Sequence, residues 1–189
     1  MRIRRYRMVA ALAICIAIAG LLAYCYTALW APDAKKRREA EPRRFVPKVA
    51  KAKAHLYFSD ADHRFLTSED RILAQPDTVV ERARGMVCAL IDGPQGPLTP
   101  IIPVETKLLA LYVTQEGIAY VDFDRAISEK HPGGTLSELL TIFSIVNTLA
   151  LNVPEIDAVK ILIEGREAKT LAGHIDIRFP FRPNLLLIK

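Results

Sequence analysis

HPGGTLSELLTIFSIVNTLALNVPE, residues 131–155, opens on a Pro-Gly-Gly loop and closes on a proline, with one long apolar run between. Thr135 and Glu138 stand at the spacing of a capping box, in which the hydroxyl and the carboxylate satisfy free amides of a first helical turn. Leu136, Leu139, Leu140, Ile142, Phe143, Ile145, Val146, Leu149 and Ala150 then cover more than half of a helical circumference. Ser137, Thr141, Ser144 and Thr148 follow at i, i+4, i+7 and i+11 and make a narrow hydroxyl face. No charge occurs between Glu138 and Glu155. A helix of this kind is either nearly buried in its own domain or contacts a partner along its hydroxyl side, and the width of the stripe favours burial.

Working outward, Leu108–Val113 and Ile118–Phe123 flank Thr114-Gln115-Glu116-Gly117, which predicts a β-hairpin. Upstream, Asp77 or Thr78 can cap a helix running to about Ile91, with Val79, Val80, Ala83, Val87, Leu90 and Ile91 on one stripe and Glu81, Arg82 and Arg84 opposite. Period-two alternation at Ala54, Leu56 and Phe58 predicts a half-buried strand, broken by the polar residues 59–64. Downstream, residues 159–164 predict a strand, and residues 170–176 and 185–188 give shorter extended pieces. The order strand, helix, two hairpin strands, helix, strand, extended tail fits an α+β sandwich of two layers: a small mixed sheet with two helices on one face.

Chemistry-bearing residues are sparse and unconverged in sequence. Asp60 and Asp62 lack the Gly and Glu offsets of a calcium loop and read as a turn. Asp122 and Asp124 share one strand face and are expected to meet water or a turn backbone. Cys88 lies at the edge of the first helix's stripe as a small packing residue, since no His base accompanies it. His55, His63, His131 and His174 show no ligand spacing and read as surface or locally hydrogen-bonded side chains. No catalytic, cofactor-binding or metal-ligating residue is assigned, and an enzyme is not expected.

The formal charge is +5 over 189 residues, but its distribution reverses what a basic protein suggests. Residues 1–7 carry four Arg, residues 33–53 carry nine Lys or Arg against three acids, and residues 54–189 carry 13 basic against 18 acidic residues. The basic character flanks an apolar segment, while the acidic remainder would repel a phosphate backbone, so no nucleic-acid partner is expected.

That segment, residues 8–30, holds no charge over 23 residues. At about 1.5 Å per residue it spans a hydrocarbon core of about 30 Å. Cleavage after Ala31 or Ala28 would place Leu29 or Tyr26 at the −3 position, and neither is small. Tyr24 before Cys25 and Ile14 before Cys15 likewise exclude a lipoprotein signal. A retained signal anchor is predicted, with Tyr24, Tyr26 and Trp30 as an aromatic belt. The seven Lys or Arg of residues 31–50 taken alone favour a cytoplasmic domain; the short, undiluted Arg cluster before the helix favours the domain outside, and that orientation is adopted. The expected organisation is a basic N-tail (1–7), a transmembrane anchor (8–30), a Pro-containing basic linker (31–53), a folded domain (54–181) and an extended tail (182–189). The linker is either a plain solvated tether or a polybasic strip lying on anionic head groups or wall polymer.

Over residues 52–181 the chain resembles the sporulation and spore-germination domain called GerMN. The resemblance rests on Leu56-Tyr57-Phe58, Gly93-Pro94, Ile102-Pro103, Val121-Asp122-Phe123, Pro132-Gly133-Gly134 and Glu138-Leu139-Leu140. It continues through Ile145-Val146-Asn147-Thr148-Leu149, Pro154-Glu155, the segment 159–165 and Leu171-Ala172-Gly173-His174-Ile175-Asp176. It implies envelope exposure behind a membrane or lipid anchor, a fold similar to ring-building modules, and no catalytic constellation. One copy stands here instead of a tandem pair, and a transmembrane anchor instead of a lipobox. The expectation is an inner-membrane, single-pass envelope protein that contacts another envelope protein or itself. The alternative is an accessory protein that binds peptidoglycan or regulates wall remodelling.

Overall fold

The computed structural model describes residue 14, residues 16–28 and residues 50–189. Two compact units divide the chain, Met1–Pro47 and Lys48–Lys189. In the first, Ile16–Ala28 is an exposed apolar helix, about 20 Å long at ~1.5 Å per residue. The basic N-tail, most of the linker and both ends of the charge-free run lie outside the described residues.

The second unit begins with β1 (Ala50–Ser59) and β2 (Leu66–Gln75), paired antiparallel along their full length. Strand β1 thus starts at Ala50, inside the stretch expected to be linker. The turn between the strands closes on Asp60, whose carboxylate accepts the amides of Arg64 and Phe65. Helix α1 (Val79–Ile91) follows, its N-cap Thr78 accepting the Glu81 amide and donating its hydroxyl to the Glu81 carboxylate. Then come β3 (Leu108–Val113), β4 (Ile118–Phe123), the one-turn α2 (Ala126–Glu129), α3 (Thr135–Asn152) and β5 (Ala158–Ile163). The class is α+β, but the sheet differs from expectation. β4 lies between antiparallel β3 and parallel β5, while β1 and β2 form a separate ribbon. Helices α1 and α3 pack on each other; α1 touches β1, β2 and β3, and α3 touches β1 and β5.

Strand β1 does not join the mixed sheet because α3 occupies its free edge. Ser144 donates its hydroxyl to the Tyr57 carbonyl at 2.6 Å, and Thr148 Oγ1 accepts the Tyr57 amide at 3.1 Å. Asn152 accepts the His55 amide and donates to the His55 carbonyl, both at 2.8 Å. Ser59 then exchanges both backbone bonds with Thr99. Every edge group of β1 from His55 to Ser59 is satisfied without a third strand, as a buried backbone requires. Ser144 and Thr148 of the hydroxyl face are therefore spent inside the domain. The helix is long and apolar enough to cross a membrane, yet it is mostly buried as the core helix of this unit.

Strand β2, absent from the expected order, has Glu69 and Arg71 on its inward face opposite Leu56 and Ala54, while Ile72 points out. Two inward charges abolish the apolar alternation that marks a half-buried strand. They are matched to each other: Arg71 pairs with Glu69 and donates to the Gly93 carbonyl, and Glu69 accepts the amides of Gln95 and Gly96. The pair pins the loop that leaves α1.

Three further expectations are corrected. Helix α3 has Gly134, which has no side chain to offer, as N-cap, and the Glu138 carboxylate is buried in the domain, so Thr135 and Glu138 form no capping box. Cys88 is exposed, with Ala89 buried beside it, so the stripe of α1 passes it by. Leu185–Leu187 forms a 3-10 turn capped by Asn184 and not an extended piece.

Candidate functional site: an apolar groove at the start of the long helix

Several carboxylates of the domain hold loops. Asp122 accepts the Gly165 amide at 2.8 Å and Asp124 the Lys107 amide at 2.9 Å, so the two carboxylates serve different loops, as expected of a pair meeting turn backbone. Glu138, wholly buried, accepts the amides of His174 and Ile175 and bonds the His174 ring at 2.7 Å. Burial alone would raise its pKa, but the Ile175 amide, His174 and the Ala172 amide outweigh burial and hold the carboxyl below its ordinary value. His55 pairs with Asp70 and His63 lies against Ser59. No group of His, Cys, Asp and Glu among the described residues could hold a metal ion.

His131 is buried and its tautomer is fixed by its partners. The Gly133 amide donates to Nδ1 at 3.0 Å, so the ring proton sits on Nε2, 2.9 Å from Thr141 Oγ1. Burial pushes its pKa down, partly opposed by the charge of Glu138. Thr141 in turn lies 2.9 Å from the Ile101 carbonyl, to which it donates. This chain of bonds ties the 131–134 loop and the 101–104 loop to one turn of α3.

Between those loops lies a groove of about 580 Å³. Its walls are apolar: Pro100, Pro103 and Val104 on one side, Pro132 and Leu136 on the other, with Lys130 and His63 at the rim. Val104 is 79% exposed and Leu136 45%, although Ile102 between the first set is buried and anchors its loop. The prolines fix their own φ and donate no backbone bond, which keeps this wall rigid and apolar. Gly133 and Gly134 have φ of 77° and 91°, a left-handed path by which the loop enters α3 and which side chains disfavour. The Pro-Gly-Gly loop is legible in the sequence; its meeting with the proline-rich 100–104 loop is not. A second hollow, of about 710 Å³, lies by the β3–β4 turn, but Glu116, Glu155 and Asp157 make it acidic, and Glu155 is already paired with Arg82.

The family model described as "Sporulation and spore germination" matches residues 55–169. A solved candidate lipoprotein from Clostridium perfringens is 26% identical, with a TM-score of 0.52 over 70% of this chain and 88% of that one. The first GerMN domain of the sporulation protein GerM from Bacillus subtilis is 20% identical with a TM-score of 0.51, over 70% of this chain and 96% of that one. The tandem GerMN domains of the same protein are 20% identical with a TM-score of 0.52, and the match covers 72% of this chain and 46% of theirs. No curated protein matches the chain.

Proposed function

The chain belongs to the sporulation and spore germination family, and from that premise we propose that it is a membrane-anchored envelope protein whose domain works by contact and not by catalysis. The observation that carries the reading is the groove of residues 100–104 and 130–137, where apolar side chains stay open to solvent. Among the described residues the domain's buried polar side chains, Thr106 apart, are taken up internally. Contiguous exposed apolar surface rimmed by polar groups is how interaction sites present themselves. Lys130 makes no ion pair among the described residues, and at the rim it favours a partner segment that is apolar with an acidic flank. That partner is another envelope protein.

Anchoring is supported by the charge-free run 8–30, by the exposed helix Ile16–Ala28 within it, and by the lipoprotein description of the Clostridium perfringens relative. The domain then faces the extracytoplasmic side. Chemical crosslinking of the full chain in its native cells should give a discrete adduct. Val104→Glu combined with Leu136→Glu should abolish it while leaving the melting temperature of the domain unchanged. An adduct indifferent to both substitutions would overturn the groove as the contact site. A wall-polymer role rests on the nine basic residues of 33–53; co-sedimentation with purified sacculi, lost on deleting that stretch, is its test.

A further inference from the structure

The domain is acidic overall, yet residues 178–189, RFPFRPNLLLIK, contain three cations and no acid. Three of its large apolar side chains stand in solvent: Phe179 is 69% exposed, Leu185 63% and Leu186 87%. They are held there by structure and not left on a loose end. Phe181 exchanges backbone bonds with Val159 and sets its ring edge-on to Phe143, 5.7 Å between centroids. The fully buried Asn147 accepts the Asn184 amide at 2.9 Å and donates to the Asn184 carbonyl at 3.1 Å. The Asn184 side chain then caps the turn that carries Leu185 and Leu186. A buried amide spending both its functions to project two leucines into water needs a reason outside the domain's own packing.

The charges beside these side chains indicate the occupant. Arg178 is matched by Asp176, whose carboxyl its guanidinium and amide hold down to about 2. Arg182 and Lys189 form no salt bridge among the described residues; Lys189 lies 6.0 Å from the Phe65 ring centroid, and Asp60 feels its charge. We infer that the segment 178–189 docks the domain onto an anionic lipid surface, with Phe179, Leu185 and Leu186 entering the head-group layer and Arg182 and Lys189 pairing with phosphates. Cations alternating with large apolar side chains are the pattern of interfacial membrane contact. Such a contact is weak alone, but an anchored chain makes it intramolecular, so a modest affinity suffices. The inference rests on the anchoring proposed above.

The test uses the full chain in nanodiscs of phosphatidylcholine, alone or mixed with phosphatidylglycerol, with brominated lipid quenching tryptophan emission. The native chain reports on Trp30, and a Trp30→Phe, Leu186→Trp variant reports on the segment. Leu186→Trp emission should be quenched in anionic discs, and each of Arg182→Glu and Lys189→Glu should lower the docked-to-free ratio about fivefold or more. Trp30 quenched with Leu186→Trp emission unquenched in both lipids would overturn the docking and leave the anchor standing. Trp30 itself unquenched would overturn the anchor and the docking with it. Protection of Leu186→Trp that depends on protein concentration and not on lipid charge would assign the patch to a second copy and overturn the lipid surface.

Discussion

Ser144 on α3 closes its hydroxyl on the Tyr57 carbonyl of β1 at 2.6 Å, across 87 residues of sequence. With Thr148 and Asn152 it gives the ribbon an edge partner made of side chains. A buried carbonyl or amide left without its partner costs about 1–3 kcal/mol. Ser144→Ala and Thr148→Val should each destabilise the domain by about that much in urea titrations, and Thr148→Ser should recover part of the loss. Ser137→Ala, whose hydroxyl makes no bond to β1, should stay within ~0.5 kcal/mol.

Glu69 and Arg71 should be strongly coupled. Arg71→Ala leaves a carboxylate largely out of water and the Gly93 carbonyl without its guanidinium, at roughly 3–5 kcal/mol. Burial would raise Glu69, but the Gln95 and Gly96 amides and Arg71 hold its pKa below the ordinary value. A double-mutant cycle with Glu69→Gln should return a coupling well above the ~1 kcal/mol ceiling of exposed pairs.

That pair also explains where the fold was legible and where it was not. The β3–β4 hairpin and α1 were readable because their signals are local: Gly117 in the turn, Thr78 at the cap, apolar positions at the right period. β2 was not, because its inward face carries Glu69 and Arg71 and its apolar Ile72 faces solvent. The capping-box reading of Thr135 and Glu138 failed for the same kind of reason. The carboxylate's partners lie more than 30 residues downstream, where no local pattern reaches. The groove combines loops separated by α2 and the hairpin, so no local pattern shows their juxtaposition.

Acid should loosen the domain in two separate windows. His131 has a folded pKa below its ordinary 6.5, so its contribution is complete above about 6.5 and shrinks as pH falls below that value, where the unfolded chain takes a proton the folded one refuses. Glu138 is depressed below 4.5, so its contribution is present above 4.5 and is lost as pH falls through its folded pKa. Stability measured against pH should show both steps, and His131→Gln should remove only the upper one. Glu138→Gln should lower the His131 pKa further in an NMR titration, since the Glu138 charge raises it.

Gly117 and Gly133 share nearly the same positive φ, 76° and 77°, but not the same surroundings. A Cβ on Gly117 would stand 2.9 Å from Asp157 Oδ2, whereas one on Gly133 meets nothing within 4 Å. Gly133→Ala should cost about 1–2 kcal/mol of left-handed strain, and Gly117→Ala more than that. Thermal melts of the two variants side by side would show it.

The groove between residues 100–104 and 130–137 is the proposed contact surface. Site-specific photo-crosslinking of the full chain in native membranes tests it most directly, with the probe at Val104 and, as a control, at Ile72 of β2, which is also exposed. The account predicts an adduct from Val104, absent from Ile72 and lost on Leu136→Glu. Equal adducts from both positions, or none from Val104 while the protein remains folded and membrane-bound, would contradict it.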